Sequence, residues 1–195
     1  EDHYSEGGED TCRPCASGYH SREGSSTCFS CQPGQYFDSE LKGCRGCEVG
    51  KVSLTGQDSF CSDCMASEGL VAPSTNLTIC QYCGAGKYAA EVSNTCDSCP
   101  ASKFSVGGTS YCTMCSSGQF SSVAGSTTCL FCERGSVPFA NDTHSQTGCE
   151  KCPLGHMSNS GDAKCTSCPS GQYGDATGES CYQCDAGKYS ADGSS

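Results

Sequence analysis

All 22 cysteines of this chain fall into eleven Cys-x-x-Cys pairs, which open at Cys12, Cys28, Cys44, Cys61, Cys80, Cys96, Cys112, Cys129, Cys149, Cys165 and Cys181. The steps between pairs run 16, 16, 17, 19, then 16, 16, 17, 20, then 16, 16 residues. A repeat of about sixteen residues is therefore nested in a super-repeat of four, 68 residues from Cys12 to Cys80 and 69 from Cys80 to Cys149. Self-similarity at a fixed period predicts an array of small units in place of one globular core. It also argues against an enzyme, since catalysis needs one unlike constellation and this chain offers eleven similar ones. The period sets the expected organisation. Residues 1–11 end a preceding unit or form an N-terminal segment, 12–79 and 80–148 are super-repeats of four units, and 149–195 is a partial third.

Cysteine at 22 of 195 residues exceeds the roughly 8–10% that marks a disulfide scaffold in a short secreted chain. Such density persists as disulfides in an oxidising compartment, so the expected location is extracellular, secreted or at the cell surface. Two N-glycosylation sequons agree with that location, Asn76-Leu77-Thr78 and Asn141-Asp142-Thr143. They fall in the final, lengthened unit of successive super-repeats, each after a proline-containing stretch, Leu70–Pro73 and Val137–Phe139. Extra length at a surface turn accommodates a bulky solvated group. No apolar run is long enough to cross a bilayer, and direct membrane insertion is not expected in this segment. The net charge of −11 repels phosphates and anionic headgroups, which disfavours nucleic acid and anionic membranes as partners. The chain opens on Glu1, and Asp185–Ser190 starts a further unit after Cys184, so an internal segment of a longer array is expected.

Aligned on the second cysteine of each pair, the units share a short grammar. Glycine stands three residues on in nine of eleven, at Gly18, Gly34, Gly50, Gly86, Gly118, Gly135, Gly155, Gly171 and Gly187, with Ser67 and Ser102 as the exceptions. An aromatic or apolar residue stands five residues on in nine, at Tyr36, Val52, Tyr88, Phe104, Phe120, Val137, Met157, Tyr173 and Tyr189. A glycine at a fixed offset predicts positive φ or close backbone approach. The apolar residue two places later predicts the inward side of a short strand, with Lys or Gln between them on the solvated side. A Gly/Ser-rich turn then leads to the next pair, as at Val106–Thr109 and Ala124–Thr127. Each unit thus reads as a small irregular β-hairpin, with little or no helix. The fold class expected is a small disulfide-rich repeat array, an elongated rod whose units touch mainly their flanking neighbours.

The line Cys-x-x-Cys-x-x-Gly-x-Tyr/Phe-Ser resembles the ephrin-receptor-like (growth-factor-receptor-type) cysteine-rich repeats. The residues that carry the resemblance are Cys80, Cys83, Gly86 and Tyr88; Cys112, Cys115, Gly118, Phe120 and Ser121; and Cys181, Cys184, Gly187, Tyr189 and Ser190. Such repeats occur in extracellular stalks, receptor ectodomains and protist surface proteins. The single-disulfide modules of tumour-necrosis-factor-receptor-like domains look similar too. In those modules the cysteine before x-x-Gly-x-Tyr bonds the next cysteine downstream. Carried over, that implies Cys15–Cys28, Cys31–Cys44, Cys47–Cys61, Cys64–Cys80, Cys83–Cys96, Cys99–Cys112, Cys115–Cys129, Cys132–Cys149, Cys152–Cys165 and Cys168–Cys181. Cys12 and Cys184 are then left to bond outside the segment. Joining first to first and second to second, as Cys12–Cys28 with Cys15–Cys31, stays open on the residues alone. The interlocked second module of those receptors is missing here.

Other chemistries of Cys-x-x-Cys fit less well. Four-thiolate zinc sites consume pairs two at a time, and an odd number of pairs leaves one over. A thioredoxin-type thiol needs one reactive pair at a helix start. Covalent haem needs histidine straight after a pair, and no pair here is followed by one. His3, His20, His144 and His156 are scattered among turns and are expected on the solvated surface. The acidic pairs Glu1-Asp2 and Glu9-Asp10 lack the dense, regularly spaced carboxylates of a calcium loop. No catalytic residue, metal ligand or cofactor is assigned. The function expected is a structural extracellular glycoprotein, a disulfide-laddered rod that associates with like rods in a homo-oligomer, filament, surface coat or stalk. The alternative is the cysteine-rich ectodomain of a cell-surface receptor binding a protein ligand. A receptor should carry one divergent unit with an exposed apolar patch, whereas units four and eight diverge from the grammar together.

Overall fold

The computed structural model describes residues 2–8, 11–140 and 146–195, so Glu1, Glu9, Asp10 and residues 141–145, with Asn141 and His144, lie outside the described residues. Among the described residues the fold is a disulfide-rich array of ten short two-stranded hairpins, and the helix content is one 3-10 turn, Ala66–Glu68. The strand after the position-three glycine pairs antiparallel with the two residues between the next pair of cysteines. Lys51–Val52 pairs with Ser62–Asp63, Lys103–Phe104 with Thr113–Met114, Gln119–Phe120 with Leu130–Phe131, and His156–Met157 with Thr166–Ser167. In the first repeat the pairing shrinks to a single bridge, His20 with Phe29. Period-two alternation over two residues cannot bury a stripe, so the hairpins depend on what lies beside them.

Backbone hydrogen bonds between repeats recur at the same positions. The glycine N–H at position three donates to the position-six carbonyl of the next repeat, as Gly34 to Ser53, Gly86 to Ser105 and Gly135 to Ser158. The position-six N–H donates onward to the following turn, as Ser53 to Leu77, Ser105 to Ser126 and Ser158 to Gly178. The second cysteine of a pair donates back to position three of the repeat before, as Cys47 to Gly34, Cys99 to Gly86 and Cys168 to Gly155. These bonds satisfy backbone groups that such short strands leave unpaired.

The expectation that position five forms the inward face is corrected. Position-five side chains are mostly half-buried, while the buried places are the second cysteines and position six. Ser53, Ser105, Ser121 and Ser158 at position six are buried, as is Ala89. Flanking backbone approaches position six from both sides, and Ser, Ala or Gly fills it in most repeats, with half-buried Phe37, Leu70 and Pro138 the exceptions. The serine hydroxyls find partners: Ser158 Oγ donates to the Ser136 carbonyl at 3.1 Å, and Ser121 Oγ to the Val123 carbonyl at 3.1 Å. Among the described residues no buried side-chain polar atom lacks a hydrogen bond.

Packing also reaches past the flanking repeats, which amends the expected nearest-neighbour contact. Gly86 sits at φ 79°, and a Cβ there would overlap the carbonyl of Gly125, two repeats on. Gly118 meets the Gly161 carbonyl in the same way, and Gly155 the Gly193 carbonyl. The glycine grammar therefore records a second-neighbour contact as well as a turn.

The chain packs as two compact units, one of residues 1–83, 89–96 and 108–110, the other of residues 84–88, 97–107 and 111–195. The first holds a small apolar cluster, Ala66, Val71, Cys83 and Ala89, with Cys96 packed against it. Its hairpin Gln35–Asp38/Gly43–Gly46 turns on Asp38, whose carboxylate accepts the N–H of Leu41 at 3.1 Å and of Glu40 at 2.9 Å. The Leu41 bond in particular holds the Asp38 carboxyl below its ordinary pKa, with smaller contributions from Glu40 and Arg45. Repeats four and eight depart from the pattern in different ways. Repeat four replaces the position-three glycine turn with the 3-10 turn closed by Gly69 at φ 77°, and repeat eight builds strands Ser136–Ala140 and Gln146–Lys151 with a register shift between Phe139 and Ala140.

A matched pair of substitutions tests the glycine contact. Gly187 shares positive φ, 85°, but nothing stands within 4 Å of its Cβ position. Gly187→Ala should lower stability by about 1 kcal/mol from φ alone. Gly118→Ala should cost about 1–3 kcal/mol more from overlap. Thermal melts in which the two variants coincide would remove the second-neighbour contact from the account.

Candidate functional site: the cysteine ladder and the sequon turns

Each hairpin ends where one cysteine leaves a repeat and the next enters, which brings two sulfurs together without interlocking. Ten disulfides join Cys15–Cys28, Cys31–Cys44, Cys47–Cys61, Cys64–Cys80, Cys83–Cys96, Cys99–Cys112, Cys115–Cys129, Cys132–Cys149, Cys152–Cys165 and Cys168–Cys181. Their Cα–Cα separations run from 5.4 Å at Cys83–Cys96 to 5.9 Å at Cys15–Cys28, within the ordinary range for a bridge. Each bridge closes 13 to 17 residues. Cys12, exposed, and Cys184, half-buried, form no disulfide within the chain. The second cysteines are the deeper partners in most bridges, with Cys99 and Cys168 fully buried, and Cys115–Cys129 reverses the order. Ten disulfides fit an oxidising, extracellular environment.

Asn76 is exposed and adopts φ 60°. Its N–H donates to the Cys47 carbonyl at 3.0 Å, the bond that Gly108, Gly125, Gly161 and Gly193 make to Cys83, Cys99, Cys132 and Cys168. Asparagine thus fills a turn position that other repeats give to glycine, and it is among the side chains that tolerate left-handed backbone. The residue just before a second cysteine faces this turn. Tyr82 lies beside Gly108, Ser98 beside Gly125, and Phe131 beside Gly161. Opposite Asn76 that residue is Gly46, and a Cβ on Gly46 would overlap the Asn76 carboxamide oxygen. The amide nitrogen lies farther off, 3.5 Å from the same point. Asn141, the second sequon asparagine, lies outside the described residues.

His20 departs from the solvated expectation. His20 has a side chain 14% exposed, bonded through Nδ1 to Asp2 at 3.2 Å. It stacks on Phe37 at 3.5 Å between ring centres. Burial against Phe37 fixes this ring where the sequence shows only an isolated histidine in a turn. His156 lies between the Leu154 carbonyl, 3.2 Å from Nδ1, and Ser167 Oγ, 3.1 Å from Nε2. Among the described residues no group of three or more His, Cys, Asp or Glu side chains is placed to hold a metal ion. No helix among them is long and apolar enough to cross a membrane. The structural role of position six was missed from sequence, although Ser21, Ser53, Ser105, Ser121, Ser158 and Ser190 recur there.

Peptide mapping without reduction should recover the ten bridges, and Cys12 joined to Cys28 would contradict the ladder. Ser158→Ala should cost about 1 kcal/mol for the lost hydroxyl bond, read as a lower melting temperature. Unchanged stability would show that backbone bonds alone hold position six. No protein-family model matches the chain, and no curated protein sequence matches it.

Proposed function

We propose that the chain is a structural segment of an extracellular glycoprotein, a disulfide-laddered, non-catalytic array of the ephrin-receptor-like type that builds a filament, surface coat or stalk. The observation that carries this is the recurrence of one bonding scheme. Position three, position six and the second cysteine make the same backbone bonds in repeat after repeat, and a disulfide closes each hairpin from Cys15–Cys28 to Cys168–Cys181. Crosslinks at every step limit how far a locally opened repeat can spread, a property that suits a load-bearing or protective element. Repeated surface also offers equivalent contacts to like chains at a regular interval.

N-linked glycans on Asn76 and Asn141 would decorate the lengthened repeats and space neighbouring arrays. The receptor alternative draws support from exposed apolar side chains around repeat four, Phe60, Ile79 and Tyr82, which would serve as ligand contacts.

Electron microscopy and small-angle scattering of the native particle separate these roles. Long fibres or bundles of elongated particles are expected; discrete complexes with a protein ligand would favour the receptor, and a compact monomer would defeat the rod. Intact-mass analysis of protein from a secretory host should show glycans on both asparagines. Asn76→Gly removes one sequon while supplying the residue that repeats six, seven, nine and eleven use there. It should alter bundling and leave the melting temperature within about 1 kcal/mol of equivalent stability. Both asparagines bare would end the glycoprotein proposal.

A further inference from the structure

Tyr173 and Tyr182 stand directly opposite each other on the hairpin formed by Gln172–Gly174 and Cys181–Gln183. Antiparallel partners project their side chains to one face. Their ring centres are 5.8 Å apart, with planes inclined at 37°. Both are reachable by solvent, Tyr173 40% exposed and Tyr182 44%. The chain has nine tyrosines and no tryptophan, so phenols are its readily oxidised aromatic groups, and all but two cysteines are already spent in disulfides.

We propose that Tyr173 and Tyr182 form an oxidative coupling site, at which a peroxidase-type oxidant joins them through a carbon–carbon bond and adds a second covalent rung beside Cys168–Cys181. Each phenol gives up one electron and one proton from its hydroxyl, and hydrogen peroxide takes both pairs and leaves as two waters. The two phenoxyl radicals combine at ring carbons ortho to oxygen. The hydrogen on each joined carbon then moves to its oxygen, which restores both phenols, and the product is lighter by two hydrogens. Side-chain rotation about χ1 and χ2 supplies the closing movement. The hairpin holds the reacting rings together, so coupling within a chain outruns encounter between chains. Tyr189, 95% exposed, and Tyr82 have no tyrosine ring against them among the described residues and lack that advantage. The site is independent of the choice between filament and receptor.

The test treats the full chain, at low micromolar concentration, with hydrogen peroxide and a haem peroxidase. Trypsin cuts after Lys164 and Lys188, so residues 165–188 leave as one peptide that carries Tyr173 and Tyr182 and no other tyrosine. After reduction and alkylation that peptide should lose two hydrogens, with dityrosine fluorescence in the monomer band. Coupling within the chain should exceed inter-chain dimer by on the order of tenfold or more. Tyr182→Phe keeps a ring in place and should abolish monomer fluorescence. An unchanged 165–188 peptide, alongside chains crosslinked through Tyr189 or Tyr82, would overturn the assignment. So would monomer fluorescence that persists in Tyr182→Phe.

Discussion

Backbone hydrogen bonding from repeat to repeat, through position three, position six and the second cysteine, is the interaction on which the rest of the array depends. At Gly86, Gly118 and Gly155 the Cβ of any other residue would overlap a carbonyl two repeats downstream. The Gly86 N–H also donates to position six of the next repeat, and Cys99 and Cys168 bond back to Gly86 and Gly155. A hairpin of two-residue strands has too few ladder bonds of its own to persist in water. Here the missing bonds are made sideways, from repeat to repeat.

Disulfides and hydrogen bonds divide the work. The buried apolar cluster of the first unit consists of small residues, Ala66, Val71, Cys83 and Ala89, and the aromatic side chains of position five are mostly half-exposed. Hydrophobic burial is therefore a modest source of stability, as expected of small domains. The bridges compensate by restricting the unfolded chain, and the backbone bonds set the orientation of one hairpin on the next. Buried serine suits such a core. It is small, and its hydroxyl finds a backbone acceptor nearby, Ser121 at Val123 in its own turn and Ser158 at Ser136 on the repeat before.

Departures from the repeat show what the scheme tolerates. Asn76 takes a glycine turn, and its neighbour across the turn has become Gly46, which makes room for the carboxamide. Where the turn residue is glycine the facing residue is free to be large, as Tyr82 is against Gly108 and Phe131 against Gly161. The two positions are compensated within a single chain. Ser102 holds φ 69° without glycine's freedom and still accepts the Cys115 N–H and donates to Ser121.

The spacing of Cys-x-x-Cys pairs by itself determined that this is an array of small like units, and the glycine, alternation and turn grammar within each unit declared a hairpin with almost no helix. The recurrent glycine likewise declared positive φ, which Gly18, Gly34 and Gly86 adopt. Only the tertiary structure decided which residues are inside. Alternation counted along one strand pointed to position five. Burial is set instead by repeats sixteen and more residues away, whose backbones close over position six, and a strand-local pattern carries no trace of them. His20 illustrates the same limit, since its partners Asp2 and Phe37 lie 18 and 17 residues off. The pairing of Tyr173 with Tyr182 depends on hairpin register, and register is a property of the folded turn rather than of the spacing between two tyrosines.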